Sequence, residues 1–492
     1  MTTPTESPTR IAPPASEATQ WQLFCVAIVL LKFILLALDP LPKLFIGDSI
    51  SYIATALEGW IPDDRSYFYG YLINWVSLST GSLLSLLLLQ TFISALTALL
   101  LAHIGRSMLG LSARASFILG LICALDPFQL VWERYVMTET ISLFFYVAGL
   151  YYTFLYLRHR AIRHLAIVQG IWVLLIGFRM SYLLVVQVSA VLLPILAFAP
   201  FFLESWRNRG IARSGPGFPV KVTLIHLTGS IAMLFLFHGA YKQVNGLITG
   251  REPAYLYATG LHLLAFWAPI LVPADASDER LAQIIAKGEE FDIKELTERN
   301  NQRFKAGYLV PQWQEIEPDV SRANQVAKVT ALRALRRDPL GVLKLAARTL
   351  AQYRDFKGIQ YYAKIDLGHH DLTPEHCAML AGEFHFATDG RIIDAPPTLL
   401  QRFFLVSWPY CYLLMLSPFF GALAVCFARD KRLALLLLLH LTILLAVTFT
   451  FTVAPSLRYL QPVSVLALLT IALGLRSFLD SRLPEGLASS RS

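Results

Sequence analysis

Apolar runs long enough to cross a bilayer recur along this chain, separated by short polar stretches. A span needs about 20 apolar residues at ~1.5 Å each, with shorter ones tolerated inside a bundle. On that ruler ten segments qualify: residues 21–38, 82–104, 115–131, 139–157, 165–178, 181–202, 222–241, 402–427, 433–453 and 461–476. The third is short, and the fifth and sixth are closely coupled. The pattern predicts an all-α polytopic membrane protein with about ten transmembrane helices. Residues 1–20 are polar and rich in Pro, Ser and Thr, which predicts a disordered tail, and residues 477–492 form a second tail. The apolar segments fall into an N-terminal module, 21–241, and a C-terminal module, 402–476.

Between the modules, residues 242–401 change character and predict a mainly helical loop or cap region. Its first part, 254–272, is apolar and aromatic but broken by Gly260, Pro269 and Pro273 just beyond. That reads as an interfacial or re-entrant piece rather than an eleventh span. Further on, Val326, Val329, Leu332 and Leu335 recur at helical spacing, and Leu340, Leu343, Ala347 and Leu350 resume it after Pro339. This predicts two amphipathic helices broken at Asp338-Pro339, because proline disfavours helical geometry in the residue before it. Arg333, Arg336, Arg337, Lys344, Arg348 and Arg354 make the other side basic. Two readings stand: an ordinary surface helix, or one lying on the membrane near anionic lipid phosphates.

Composition agrees with the pattern. Of 492 residues, 55% are hydrophobic and 15% charged, where a soluble chain carries about 25% charged. Mean hydropathy is +0.53. The N-terminus lacks the features of a cleaved signal peptide. Four of the five cysteines (Cys25, Cys123, Cys411, Cys426) lie in apolar runs, so no disulfide framework is implied.

Charge then orients the chain. Segments 105–114, 158–164, 203–221, 428–432 and 476–492 carry 2, 3, 4, 3 and 3 basic residues against 0, 0, 1, 1 and 2 acidic ones. Loops 39–80 and 126–139 reverse this, with 2 basic against 5 acidic and 1 against 3. The positive-inside rule places the first set and both termini in the cytoplasm. The long 242–401 region, near neutral and exempt from the count, falls outside by parity. The net charge of +8 is therefore topological and needs no nucleic-acid partner.

This orientation gathers Asp48, Asp63, Asp64, Glu133, Arg134, Glu139, Arg179 and Arg458 at one membrane face, although they come from separate loops. The first outer loop, 39–80, is the richest, with Arg65 and Tyr52 beside its aspartates. Such a set suits transfer of a sugar from a polyprenyl phosphate. A base must take a proton from an acceptor hydroxyl, and cations must hold the departing phosphate. Asp48 is the candidate base; Arg65, Arg134, Arg179 and Arg458 are candidate phosphate clamps, because a guanidinium forks onto phosphate oxygens. Blander roles exist for several. Glu133 and Arg134 can pair with each other, Arg458 can anchor a span by snorkelling, and Glu139 can suit a helix N-terminus. The segment 367–386 holds His369, His370, Asp371, His376, Cys377 and His385, but in no closed zinc spacing.

Four stretches carry a resemblance: GDSISY at 47–52, DRSYFYGYLINW at 64–75, DPFQLVWERYVMTETISLFF at 126–145 and SLRYLQP at 456–462. In order and placement they resemble the polytopic glycosyltransferases of the GT-C fold, which include protein O-mannosyltransferases and the aminoarabinose transferase of lipid A. The resemblance covers residues 20–240 and 325–476. It implies Asp48 as base or substrate ligand, Arg458 and Tyr459 at the entry to the last span, and Ser49, Tyr52 and Glu139 as supporting residues. It also implies a polyprenyl-phosphate-linked donor, a glycan, lipid or protein acceptor, inversion at the anomeric carbon and a site on the extracytoplasmic face, in a bacterium that of the cytoplasmic membrane. One departure is Asp48-Ser49 in place of a paired Asp-Glu, so any role needing a second carboxylate falls to Asp63, Asp64 or Glu139; no metal ligands are assigned, and a divalent cation is left open as a cofactor. Two other classes remain in view: a transporter or flippase, which needs charges buried within spans and paired repeats, and a non-catalytic assembly protein.

Overall fold

Short polar side chains set many of the helix starts. Ser82, Ser112, Asp338, Asp355 and Asp430 each accept from a backbone N–H in the turn that follows, where four donors otherwise lack partners. The computed structural model of the protein describes residues 15–207, 217–368, 372–390 and 397–482. Among these the chain is helical, apart from one parallel bridge between Lys43 and Tyr135.

In chain order, α1 (Ala15–Leu38) leads to two loop helices, α2 (Ile46–Glu58) and α3 (Phe68–Val76). Then come α4 (Leu83–Ser107), α5 (Ala113–Ala124) and the short α6 (Pro127–Trp132). The N-terminal module ends with α7 (Glu139–His159), α8 (Ile162–Phe178), α9 (Leu183–Arg207) and α10 (Gly217–Thr249). The region that follows supplies α11 (Thr259–Phe266), α12 (Glu279–Ala286), α13 (Arg299–Phe304) and α14 (Leu309–Ile316). It continues through α15 (Val320–Arg337), α16 (Pro339–Arg354), α17 (Phe356–Asp366) and α18 (Pro374–Phe384). The last apolar helices are α19 (Leu399–Val406), α20 (Trp408–Met415), α21 (Ser417–Phe427), α22 (Lys431–Thr450) and α23 (Gln461–Arg482).

Seven stretches among the described residues are long and apolar enough to cross a bilayer: Glu17–Leu38, Leu83–Ser107, Glu139–His159, Met180–Phe201, Val220–Thr249, Lys431–Thr450 and Leu457–Ser481. This is the make-up of a multi-pass integral membrane protein. Helices α20 and α21 form a further apolar pair bent by 45°. The third and fifth expected spans are shorter helices, α5 with 12 residues and α8 with 17. The third fails for a local reason. Asp126 accepts from the N–H groups of Phe128 and Gln129 at 2.9 and 3.2 Å and Pro127 follows it, so a new helix starts inside the apolar run.

Other boundaries also move. Helix α1 starts at Ala15, and Glu17 pairs with Arg106 at 2.9 Å, so residues 15–20 are not tail; residues 1–14 lie outside the described set. Helix α10 runs on to Thr249, past the expected end at 241, and α23 runs to Arg482, past 476; residues 483–492 are outside the described set.

The region after α10 has its own apolar core, in which Leu261, Leu264, Phe291, Leu309 and Trp313 pack with alanines of α15. The 254–272 stretch is therefore apolar because it is the inside of this cap. Gly260 on α11 lets α15 approach so closely that a Cβ there would stand 2.0 Å from the Asn324 carbonyl. That crossing explains why α15 buries Ala323, Ala327, Ala331 and Ala334 rather than the expected Val326, Val329, Leu332 and Leu335, which are only partly covered. The break at Asp338-Pro339 is present, with Asp338 accepting from the Gly341 N–H at 2.7 Å. On α16 the buried residues are Val342, Leu345, Thr349 and Tyr353, while Leu340, Leu343 and Ala347 face outward.

Candidate active site

Five elements deliver charged groups to one end of the bundle. Helix α2 is fixed first. Ser49, fully buried, accepts from the Phe45 N–H at 2.7 Å and donates to the Val136 carbonyl at 2.9 Å, so its role is to hold the start of α2. Asp48 stands in the first turn of that helix, and Gly59 ends it with φ 71°. The chain returns through Asp63, Asp64 and Arg65 into α3. There Gly70 passes so close to α2 that a Cβ would lie 2.5 Å from the side chain of Thr55. Glu139 opens α7, Arg179 follows the end of α8, and Arg458 sits in the turn before α23.

Asp48 is the centre. One carboxylate oxygen meets Arg65 Nη1 at 3.0 Å and the other meets Arg458 Nη1 at 2.7 Å. Arg65 is held in turn by Asp64, on two oxygens at 3.0 and 3.1 Å, by Ser51 Oγ at 2.8 Å, and over the Tyr52 ring. Arg458 lies over the rings of Phe45 and Tyr459, with centroids at 4.7 and 5.1 Å, and donates to the Tyr459 hydroxyl at 3.2 Å. Its Nε is buried and has no hydrogen-bond partner. Beside it, Arg179 pairs with Glu139 at 3.1 Å, reaches the Arg458 carbonyl at 3.5 Å, and covers the other neighbourhood of Tyr459 at 5.4 Å.

The electrostatics follow from these pairs. Burial pushes the Asp48 carboxyl up, but Arg65 and Arg458 outweigh it and hold it down at about 2. Asp64 is lowered for the same kind of reason: burial opposes ionisation and Arg65 overrides it. His262 of α11 is pushed by burial, and by the nearby Arg303, down to about 4, so it is neutral at pH 7.

The sequence-predicted set divides. Asp48, Tyr52, Asp64, Arg65, Glu139, Arg179, Arg458 and Tyr459 are brought together. Asp63 lies at the edge: its carboxylate pairs with Arg251, and its carbonyl accepts from the N–H groups of Tyr257 and Ala258 at 2.8 and 2.9 Å. It stitches the first loop to the cap. Glu133 and Arg134 do not join the cluster. They form an ion group inside the bundle, Lys32–Glu133 at 2.7 Å and Glu133–Arg134 at 2.9 Å, with Arg134 also on Thr91 at 3.3 Å. All three charged side chains are at most 1% exposed. Arg134 uses one nitrogen, Nη1, on Glu133 and Thr91, while its Nε and Nη2 are buried without hydrogen-bond partners; it joins Lys32 and Glu133 rather than the Asp48 cluster in which it was expected.

Three groups were missed. Asp366, at the end of α17, is buried and accepts from Ser456 Oγ at 2.8 Å, from the Leu457 N–H, and from the Arg458 N–H at 3.3 Å. Tyr353 grips the same turn, donating to the Ser456 carbonyl at 2.9 Å and accepting from its N–H at 2.8 Å. Burial raises the Asp366 carboxyl to about 7, although Ser456 and Arg458 pull it back. Arg303 of α13 lies within electrostatic reach of Asp63, Asp64 and Arg65. No motif marked these residues, because their roles depend on how the cap docks.

Comparison with protein-family models, with curated proteins and with solved structures yields no match. The case for a reaction therefore rests on these residues. His369, His370 and Asp371 lie outside the described residues, and among the described ones no three His, Cys, Asp or Glu side chains converge as a metal-binding group.

Proposed function

We propose that the protein is a membrane glycosyltransferase of the GT-C type, moving a sugar from a polyprenyl-phosphate-linked donor to an acceptor hydroxyl. The observation that carries the reading is Asp48 held between Arg65 and Arg458 at the end of the bundle, with the Arg179–Glu139 pair alongside. A base and a set of guanidiniums at the end of membrane-spanning helices are the two parts this chemistry needs.

In the proposed reaction the acceptor oxygen attacks the anomeric carbon opposite the phosphate. The bond from carbon to phosphate oxygen breaks, its electron pair leaves on the phosphate, and the hydroxyl proton passes to Asp48. Inversion follows from this in-line path. A carboxylate held near 2 is a poor base, since catalytic bases work best when their pKa lies near the operating pH. The donor phosphate resolves this by competing for the same guanidiniums. Among the described residues Arg458 makes no second ion pair at contact distance, with Glu139 only within electrostatic reach, whereas Arg65 keeps Asp64. Moving Arg458 onto the phosphate removes one of the two charges that depress Asp48, and its basicity rises as the leaving group is secured.

The feature that favours a transporter is a lysine buried within a span, Lys32 of α1. Its pairing with Glu133, and its bond to the Ala124 carbonyl at 3.0 Å, suit a structural tie between helices instead. Comparative mass spectrometry of membrane lipids and surface glycans, with and without the gene, tests the proposal. The expected result is loss of one sugar modification with accumulation of its polyprenyl-phosphate donor. Unchanged glycans and lipids would count against it.

A further inference from the structure

Helix α16 is amphipathic in an unexpected sense. Its buried side faces inward: Val342 and Leu345 pack with Trp267 and Ala331 of the cap, Thr349 accepts from Arg299 at 2.9 Å, and Tyr353 meets Phe449 of α22 with ring centroids 5.5 Å apart. Its outer side is also apolar: Leu340 is 65% exposed and Leu343 63%. Helix α17 continues the strip with Phe356 and Tyr361, both exposed. Phe356 packs on Trp408, the first residue of the bent apolar pair, at 4.5 Å, and the Tyr412 hydroxyl of that pair donates to the Arg354 carbonyl at 3.0 Å. The strip therefore adjoins apolar membrane segments on two sides, α22 and α20.

Its exposed charges are mostly basic. Lys344, Arg348, Arg354, Lys357 and Lys364 are exposed on α16 and α17. Of the acids on the same stretch, Asp366 is buried on the 456–458 turn, Asp338 caps α16 half-buried, and Asp355 caps α17 exposed beside Arg354, so five exposed basic residues stand against one exposed acid. Exposed leucines ringed by an excess of exposed basic residues, continuous with spans, are the features of a helix lying in a headgroup layer. Basic residues near an anionic surface add electrostatic attraction to the burial of the apolar face.

We propose that the outer face of α16 and α17 is a docking surface for anionic phospholipid, with the leucines in the acyl boundary and the basic residues on headgroup phosphates. The same surface fixes the cap. Asp366 and Tyr353 stand on these helices and hold the turn that presents Arg458, so lipid seated here bears on the site. The surface does not depend on which reaction the site performs.

The test uses the full chain in nanodiscs of phosphatidylcholine, with and without phosphatidylglycerol. Single cysteines replace Leu343 on the proposed face and Lys328 on the cap, each in a background with the native cysteines changed to serine, and each carries a fluorophore. The expected result is loss of emission at position 343 with acyl-brominated lipid and none at 328, where aqueous iodide quenches instead. In parallel, lipid retained by the purified protein is measured for the unsubstituted chain and for Lys344→Ser/Arg348→Ser. The double variant should lose the enrichment of phosphatidylglycerol over phosphatidylcholine while keeping its size-exclusion profile. Iodide quenching at 343 equal to that at 328, without quenching by brominated lipid, overturns the membrane placement. Unchanged phosphatidylglycerol enrichment in the double variant overturns the anionic preference.

Discussion

Arg458 ties several parts of the site together: Asp48, Tyr459, the Phe45 ring and, through its own carbonyl, Arg179. A snorkelling anchor would point to the water layer, but this guanidinium is turned inward and sandwiched by rings. Arg458→Lys keeps the charge and loses the planar fork and the ring contacts, so turnover should fall about 10- to 100-fold, the worth of one charged hydrogen bond. Lysine serving as well as arginine would return the residue to the anchor role. Asp366 carries a pH signature. Its carboxyl titrates near ~4 in the unfolded chain and at about 7 in the fold. The folded state binds the extra proton between these values. The group therefore stabilises the fold below about pH 4, and its contribution fades as pH rises toward 7, by a few kcal/mol at most at ~1.4 per unit. Asp366→Asn cannot titrate and should flatten the pH dependence of melting in detergent over that window. The same slope in the variant would assign it to another group. Asp48 and Arg458 were legible in the sequence because each is a charge at a span end. Asp366 was not, since nothing in KIDLGHH says that its partner is a turn some 90 residues on.

At the scale of elements, the site depends on α2 and α3 crossing at Gly70. Gly70→Val would force a side chain onto Thr55 and should destabilise the protein by about 1–3 kcal/mol, the usual range for overpacking. Gly170, on α8, has nothing within 4 Å of a built Cβ, so Gly170→Ala should be neutral or stabilising by up to about 1 kcal/mol. Thermal unfolding in detergent compares the two; equal effects would contradict the crossing. Apolar run length gave the long helices, and Asp338-Pro339 gave the break between α15 and α16. Run length misread 115–131, where Asp126-Pro127 starts a new helix inside an apolar stretch. It also misread 254–272, whose apolar residues line a cap. Hydropathy reports burial and does not say whether lipid or protein does the covering. The buried face of α15 was displaced for a related reason: close approach at Gly260 selects alanine over the larger residues the periodicity favours.

For the whole molecule, loop charge predicts which side each end faces. Cysteines placed at Ile162 and Asn300, both exposed, should label from opposite sides of the membrane, with position 300 on the outer side in intact cells. Labelling of 162 and protection of 300 would invert the chain and move the site to the cytoplasm. The gathering of Asp48, Glu139, Arg179 and Arg458 from separate loops is the largest-scale feature that sequence reasoning anticipated. It followed from span parity and needed no knowledge of packing. The Lys32–Glu133–Arg134 group shows the limit of parity, because it locates a residue along the membrane normal and not its neighbours within the bundle.

The central claim is that a phosphate and Asp48 compete for Arg458. Polyprenyl phosphate, the product common to any sugar, can be titrated against the protein in nanodiscs for the unsubstituted chain, Asp48→Asn and Arg458→Ala. Binding should weaken in Arg458→Ala. In Asp48→Asn it should be as tight or tighter, because the competing carboxylate charge is gone, even though turnover falls about 10²–10⁴-fold for want of a base. Weaker binding in Asp48→Asn, or unchanged binding in Arg458→Ala, would contradict the competition on which the proposed mechanism stands.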